Sequence, residues 1–296
     1  MDSQVYLALY TLVTCLGAGV LGFQGAACVR WRSERLNKAS AIVAGALALA
    51  GIALFALRLG RPERLFGGFA NLTSGVTLAL YGVVLFVVVC VAMIMMSSRT
   101  EDGSVPRWCG IAAIVVSVLL VAGMTCGAVL SAKPGVGLYA LMALYLGAAL
   151  LFGAAAHLVL GALLKDEDAC KTGCAALAVC AVLAGVGLAA YLVWYGLDTQ
   201  AAAQATKSTY SMSTHMIGGA KQIAATDRLA VVTSGAQAVL FWGGSVAPLV
   251  CGAAAFAVGK GDVLEKRGVL LVLGLAALVC ALAGGWCLRL CLATLV

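Results

Sequence analysis

The sequence predicts an all-α protein, a polytopic integral membrane bundle of about eight transmembrane helices. Three observations predict this fold class. The composition is 63% hydrophobic and 10% charged, with a mean hydropathy of +1.07, whereas a soluble domain carries about 25% charged residues. Apolar runs of about 20 residues, the length that crosses a hydrocarbon core, recur along the chain. These runs are continuously apolar and do not alternate, which excludes strands as the spanning element.

Eight such runs and their connectors leave almost no room in 296 residues for an extramembrane domain, so the chain is interpreted as one transmembrane domain. The predicted helices cover residues 5–29, 40–58, 76–96, 108–131, 136–164, 173–195, 236–259 and 268–292. The first run lacks the basic leader and small-residue cleavage pattern of a secretory signal and is expected to remain as the first helix. Glycines in this run, such as Gly17, Gly19, Gly22 and Gly25, would allow neighbouring backbones to approach closely.

The basic residues predict the orientation of the bundle. The connectors after the first, third, fifth and seventh helices carry eleven Lys and Arg residues, against seven in the connectors on the other side. The positive-inside rule therefore places both termini outside. The net charge of +7 arises from short basic clusters between apolar runs, a pattern that argues against nucleic-acid binding.

No haem, metal or cluster site is expected within this chain. Most of the twelve cysteines lie inside apolar runs, where a free cysteine behaves as a small hydrophobic residue. The pairs Cys170/Cys174 and Cys287/Cys291 provide neither the four thiolates of an iron–sulfur cluster nor a zinc pattern with histidine. His157 is the only histidine inside a predicted helix, which excludes a haem bound by two membrane histidines and favours a hydrogen-bonded packing role.

Charged residues inside the predicted helices are few. Aspartate and glutamate are confined to the connectors and the N-terminus, which counts against a proton-coupled transporter or ion pump. Arg289 lies deep in the last predicted helix, where it would either snorkel outward or form an internal salt bridge. The sequence shows no internal repeat and no broken helix pair at the midplane, features that transporters often have.

The end of the second predicted helix carries the most distinctive polar cluster. It begins the segment ALRLGRPERLFGGFANLTSG, in which Pro62 and Gly67–Gly68 interrupt the helix and leave backbone groups available at the membrane interface. A polar head group would fit between helices at such a place. An ordinary snorkelling cluster at a helix end is the alternative interpretation.

Residues 58–74 of this segment resemble the dimethyl sulfoxide reductase anchor-subunit family, whose second helix ends in a segment like HLGxPxRxxxxLxNLxxS. Three further segments are similar to the family's fifth, seventh and last helices. They are ALYLGAALL at 143–151, WGGSVAPLV at 242–250, and the GxxxR spacing of Gly285 and Arg289. The eight-helix layout extends the resemblance over the whole chain.

The resemblance implies a membrane anchor in the bacterial cytoplasmic membrane that oxidises menaquinol. Menaquinol would bind as a substrate, while the iron–sulfur clusters and the molybdopterin belong to partners, a ferredoxin-like subunit and a catalytic subunit. The residues implied in quinol binding are Arg58, Arg61, Glu63, Arg64 and Tyr81. The family often has His at the position of Arg58, Glu near Leu80 and an acid at Gly285, so Glu63 or Tyr81 would replace the missing proton-handling groups.

The longest connector, 197–235, is polar and rich in small residues, which predicts a loop or short interfacial helices. A docking surface and an idle solvated loop are both compatible with its composition, although long loops in compact bundles are more often functional. The resemblance implies that cations on this side attract an acidic iron–sulfur subunit. The residues concerned are Lys133, Lys207, Lys221 and Arg228.

Two other functions remain open. A purely structural anchor without a working quinol site is favoured by the absent His and Glu, and would neither bind quinol analogues nor respond to them. A small-solute transporter is the second alternative, for which uptake by this chain alone would be diagnostic.

Overall fold

The computed structural model describes residues 3–30, 34–59, 75–100, 104–131, 138–210, 235–261 and 263–293. These residues form eight α-helices and no strands, which confirms the predicted fold class. The helices are α1 (Ser3–Arg30), α2 (Glu34–Leu59), α3 (Gly75–Arg99), α4 (Arg107–Ser131), α5 (Leu138–Leu164), α6 (Glu167–Tyr210), α7 (Gly235–Val258) and α8 (Arg267–Ala293).

Each of the eight helices is long and apolar enough to cross a membrane. Large apolar side chains are exposed on all eight, and Val193, Val239 and Val272 are each more than 60% exposed. An apolar surface this extensive is stable in lipid and not in water. The protein is therefore a multi-pass membrane protein.

Helix α2 begins at Glu34, before the predicted start at residue 40. Its first turns are polar, but the Asn37 and Ser40 side chains are buried and form hydrogen bonds with Gln24 of α1. Hydropathy alone does not register such contacts, because it counts polar residues against a membrane helix.

Helix α6 also begins earlier than predicted, since the turn before it caps both neighbouring helices. Lys165 has a φ of 59°, and the Asp166 N–H donates to the Gly161 carbonyl at 3.0 Å, a Schellman arrangement that ends α5. The Asp166 carboxylate then accepts a hydrogen bond from the Ala169 N–H at 3.1 Å and caps α6.

The same helix continues to Tyr210, so the loop or short helices expected at the start of the long connector are instead a continuous extension of α6. With 44 residues, α6 is about 66 Å long, roughly twice the thickness of a hydrocarbon core. The helix continues beyond the candidate membrane span because the Ala-rich stretch after Trp194 has high helix propensity. The rest of that connector lies outside the described residues.

Sequential helices run antiparallel, as their closest backbone approaches show. Gly51 of α2 lies against Thr14 of α1, Gly187 of α6 against Ala143 of α5, and Gly244 of α7 against Gly284 of α8. One face of the bundle, here called the terminal face, therefore carries the start of α1, α3, α5 and α7 and the end of α2, α4, α6 and α8. The other is called the opposite face.

The helices form two rings of four. The first ring contains α1–α4 and the second contains α5–α8, and in each ring every helix contacts the next and the last contacts the first. The rings meet where α1 packs along α5, with further contacts of α1 to α8 and of α4 to α5. The topology thus repeats within the chain, although the sequence shows no internal repeat.

The seam between the rings depends on glycine. A methyl group at Gly19 of α1 would overlap the Ala149 carbonyl oxygen, and one at Gly153 of α5 would overlap the Gly19 carbonyl oxygen. One turn further along, the rings of Phe23 and His157 lie 4.9 Å apart. The close backbone approach predicted for the first helix is confirmed at this seam.

Candidate functional site

Most residues predicted to bind quinol lie beyond what the structure describes. Arg61, Glu63 and Arg64 are outside the described residues, and Arg58 is in the last turn of α2 with an undescribed side chain. Tyr81 lies in α3 towards the terminal face and is 38% exposed. Its role in quinol binding stays a prediction.

The predicted docking cations fall in a similar region. Lys133, Lys221 and Arg228 are outside the described residues. Lys207 lies on the extension of α6 beyond the candidate membrane span Glu167–Trp194, and its side chain is not described. Docking at this face therefore also stays a prediction.

The described residues do enclose a site of another kind. A cavity of about 70 Å³ lies inside the second ring, in the half nearer the terminal face, and residues of α5, α6, α7 and α8 line it. Its walls are mostly apolar, and three side chains bring polar groups to it. The apolar residues include Leu144, Phe152, Leu188 and Phe241, and the polar ones are Tyr145, Ser245 and Arg289.

The cavity forms because small residues control how closely the helices meet. At Gly244 and Gly284 the backbones of α7 and α8 approach so closely that any side chain on either would overlap the other helix. Across the ring, a side-chain carbon added at Gly185 of α6 would meet no atom within 4 Å. The ring is thus tight on one side and open on the other.

Arg289 is the most informative residue of the cavity. It is 3% exposed, and its Nη1 donates to the Gly285 carbonyl at 3.4 Å. The side chain points back along α8 because Cα–Cβ bonds tilt towards the N-terminus of a helix, here towards the opposite face. The buried guanidinium does not snorkel outward, so that predicted role is wrong, while the internal salt bridge is not seen among the described residues and stays a prediction.

Tyr145 holds the guanidinium from one side. The Arg289 Cζ lies 5.1 Å from the centre of the Tyr145 ring, within the range of a cation–π contact. The Tyr145 hydroxyl interacts with the Thr11 hydroxyl, which donates to the Ala8 carbonyl at 3.0 Å. This chain of contacts fixes the Tyr145 ring and, through it, the position of Arg289.

Two donors of Arg289 remain unused. Nε and Nη2 are buried and have no hydrogen-bond partner in the described part of the chain, although the Cys15 thiol lies beside the guanidinium. The Nε–H and one Nη2–H point in the same direction along one edge of the guanidinium. That edge is the fork that binds two oxygens of a carboxylate or phosphate.

The described residues also supply no counter-ion for Arg289 within the membrane. The eight candidate spans contain no Asp or Glu except Glu167 and Asp168, which lie in the first turn of α6 at the opposite face. Arg289 is the last residue of the candidate span Arg267–Arg289, but its side chain points back into the bundle, where a charge is costly. A buried charge of this kind is by default a functional residue, and this arrangement equips it to bind an anion.

A second buried polar cluster lies between α1 and α2 near the opposite face. Gln24 Nε2 donates to Asn37 Oδ1 at 2.6 Å, Ser40 donates to Gln24 Oε1 at 3.2 Å, and the Cys28 thiol donates to Asn37 Oδ1 at 2.8 Å. Its members bond to one another, so the cluster serves packing rather than ligand binding.

His157 is a packing residue, as predicted, against Phe23. Its Nδ1 has no hydrogen-bond partner among the described residues, so the expected hydrogen bond is not seen at that nitrogen. Within the same residues no three His, Cys, Asp or Glu side chains are grouped as metal ligands.

In comparisons with known proteins, the sequence matches no protein-family model, and no curated protein matches it significantly. The site is therefore interpreted from its own geometry. Sequence reasoning identified Arg289 but missed the cavity around it. The available signal was the lack of any acid in the spans that could neutralise Arg289.

Proposed function

We propose that this protein is the membrane anchor and menaquinol-oxidising subunit of a molybdopterin-dependent anaerobic reductase. The observation that carries the proposal is the segment 58–74, which follows the end of α2 at the terminal face and resembles that of the dimethyl sulfoxide reductase anchor family. An eight-helix chain with short connectors has little room for soluble chemistry, so its substrate is lipid-soluble or its chemistry belongs to partners.

The residues of this segment would bind and orient the quinol head group. Arg58 donates a hydrogen bond to a quinol oxygen but cannot accept a proton at ordinary pH. Oxidation of one quinol releases two electrons and two protons. The electrons would pass to an iron–sulfur cluster of the partner subunit. The protons would leave one at a time: the Glu63 carboxylate accepts each and releases it to water, or the Tyr81 phenol relays each by giving up its own proton as it receives one from the quinol.

The same face would receive the partner. Lys133, Lys207, Lys221 and Arg228 all belong to connectors or extensions at the terminal face, together with the quinol segment. Positive charge around the exit point of the electrons would steer an acidic ferredoxin-like subunit to that point and shorten the distance for electron transfer.

The test is a mild-detergent purification through a tag on this chain from its native host, with iron and molybdenum quantified in the co-eluting material. We expect stoichiometric metal, and cluster reduction when a menaquinol analogue is added. Arg58→Ala should abolish that reduction. Arg99→Ala, an exposed arginine at the opposite face, is the matched control and should leave it unchanged.

The same experiment separates the alternatives. Metal without quinol-dependent reduction would support the structural anchor. A metal-free, solitary bundle would remove the oxidoreductase proposal.

Small-solute transport is a second candidate, favoured by one observation. The two rings repeat the same order of helix contacts around the parallel pair α1 and α5, and parallel repeats occur in some transporter folds. Solute uptake into liposomes that contain only this chain would support transport, and impermeable liposomes would exclude it.

A further inference from the structure

We infer that the cavity around Arg289 is a binding site for a singly charged oxyanion, best the carboxylate of an apolar acid. The inference goes beyond the proposed function and does not depend on it, because the cavity belongs to the second ring while the quinol segment follows α2 in the first.

The shape of the donor group selects an oxyanion. Nη1 is already bonded to the Gly285 carbonyl, whereas Nε and Nη2 have no partner among the residues that the structure describes. These two donors lie on one edge of a planar guanidinium that the Tyr145 ring covers from the side. A carboxylate places two oxygens at the matching spacing in the plane of that edge.

The charge of the ligand follows from the charge of the site. Among the described residues that line the cavity, Arg289 alone is ionised, and the spans contain no acid near it. One negative charge neutralises the guanidinium, whereas a second would lie uncompensated in an apolar interior. Water would satisfy the two donors but would leave the positive charge unneutralised, so an anion fits the site better than water.

The apolar lining of the cavity indicates that the rest of the ligand is apolar. Leu144, Leu151, Phe152, Leu188 and Phe241 present hydrocarbon to the cavity. A cavity of about 70 Å³ has room for roughly five water-sized groups. That space takes a carboxylate and its first few carbons, which an apolar acid fills better than a hydrated small anion.

The proposal can be tested with lauric acid that carries a photoreactive diazirine on its chain. The purified full-length protein is placed in nanodiscs of zwitterionic phosphatidylcholine and irradiated, and labelled peptides are identified by mass spectrometry. We expect saturable labelling of α5–α8 that unlabelled laurate prevents. Dodecanol, which has the same chain length without the charge, should not prevent it.

Two variants test the charge and the cavity separately, and a third serves as the matched control. Arg289→Gln removes the charge and should weaken labelling about tenfold or more. Gly185→Leu fills the cavity with Arg289 intact and should also abolish labelling, and the open space at Gly185 makes a folding defect unexpected. Gly243→Leu is the control, because Gly243 likewise meets no atom within 4 Å but does not line the cavity.

The competitors identify the source of the oxyanion. Protection by laurate alone indicates an acid that arrives from the lipid. Protection by acetate or inorganic phosphate at similar concentrations also supports an oxyanion site, but one supplied from water. Labelling that is not saturable, that dodecanol prevents equally well, or that persists in Gly185→Leu would overturn the proposal.

Discussion

Two of the buried polar features in the described part of the protein solve the same problem in different ways. In the first ring, Gln24, Asn37, Ser40 and Cys28 donate to and accept from one another between α1 and α2. In the second ring, Arg289 uses one donor on its own helix and leaves two without a described partner beside a cavity. A buried polar group stabilises a membrane bundle when its bonds are complete and invites a ligand when they are not.

The packing around the two features differs accordingly. Phe86, Met93 and Leu120 of the first ring are fully buried and fill its interior. In the second ring, comparable side chains such as Leu158, Leu177 and Leu270 lie towards the opposite face, and the half near the terminal face is left open around Gly185. Equal topology has thus produced one ring whose described interior is filled and one ring that keeps a cavity.

The largest effect is expected at the seam that holds the two rings together. Gly153→Leu would force a side chain into the backbone of α1 at Gly19, which no rotamer relieves, and should lower the free energy of unfolding by more than about 3 kcal/mol. Unfolding in SDS, followed by circular dichroism, measures it. Gly243→Leu should stay within about 0.5 kcal/mol of the parent; equal losses in both variants would show that the seam is not special.

Breaking the polar cluster of the first ring should have the next largest effect. Gln24→Leu removes the hydrogen bonds that Gln24 forms with Asn37 and Ser40 and should destabilise the protein by about 1–3 kcal/mol. The same unfolding assay applies. The double variant with Asn37→Leu should lose less stability than the sum of the two single variants, because the second substitution removes an Asn37 that has already lost its bond to Gln24. Strict additivity would contradict a coupled cluster.

The corresponding change in the second ring should have the opposite sign. Arg289→Met removes a buried charge that has no counter-ion among the described residues and should stabilise the ligand-free protein by about 1–2 kcal/mol. The measurement is made in nanodiscs stripped of free fatty acid. A loss of stability comparable to that of Gln24→Leu would mean that Arg289 is a structural residue after all.

The smallest change in stability is expected from an internal counter-ion. Gly285→Asp places a carboxylate one turn from Arg289, where the cost of burying it nearly offsets the attraction, so stability should change by less than about 1 kcal/mol. Laurate labelling should nevertheless be lost, because the new carboxylate lies beside the guanidinium, whose Nη1 is 2.9 Å from the position of the added Cβ, and neutralises it. Gly268→Asp, in the open first turn of α8, should keep full labelling.

The prediction of the fold succeeded where it depended on long apolar runs. Six helices begin and end within three residues of the predicted limits, since hydropathy over a span registers the cost of exposing backbone to lipid. The other two helices, α2 and α6, are longer than predicted because contacts that hydropathy does not register decide their limits. Hydrogen bonds that join Gln24 to Asn37 and Ser40 let α2 begin before its apolar run, and the Asp166 cap lets α6 do the same.

The site was predictable only in part. The sequence identifies Arg289 because a charge inside an apolar run is costly. Whether that charge meets surface water or an acid of another helix depends on its neighbours in space, which the sequence does not give. Tyr145 and Thr11 come from other helices, and their contacts with Arg289 and with each other carry no mark in the sequence.

The sequence by itself determined that this chain forms apolar helices long enough to cross a membrane, eight in its described part, and that most of its charge lies outside their apolar runs. Each of these properties depends on the transfer of single residues and backbone groups between water and lipid, which composition and local pattern record. Only the tertiary structure decided that the helices form two rings, that Gly19 and Gly153 join them, and that a cavity with an unpaired arginine lies in one. Those properties depend on which small residues meet across helices that are distant in the chain, and packing of that kind leaves no periodic pattern to read.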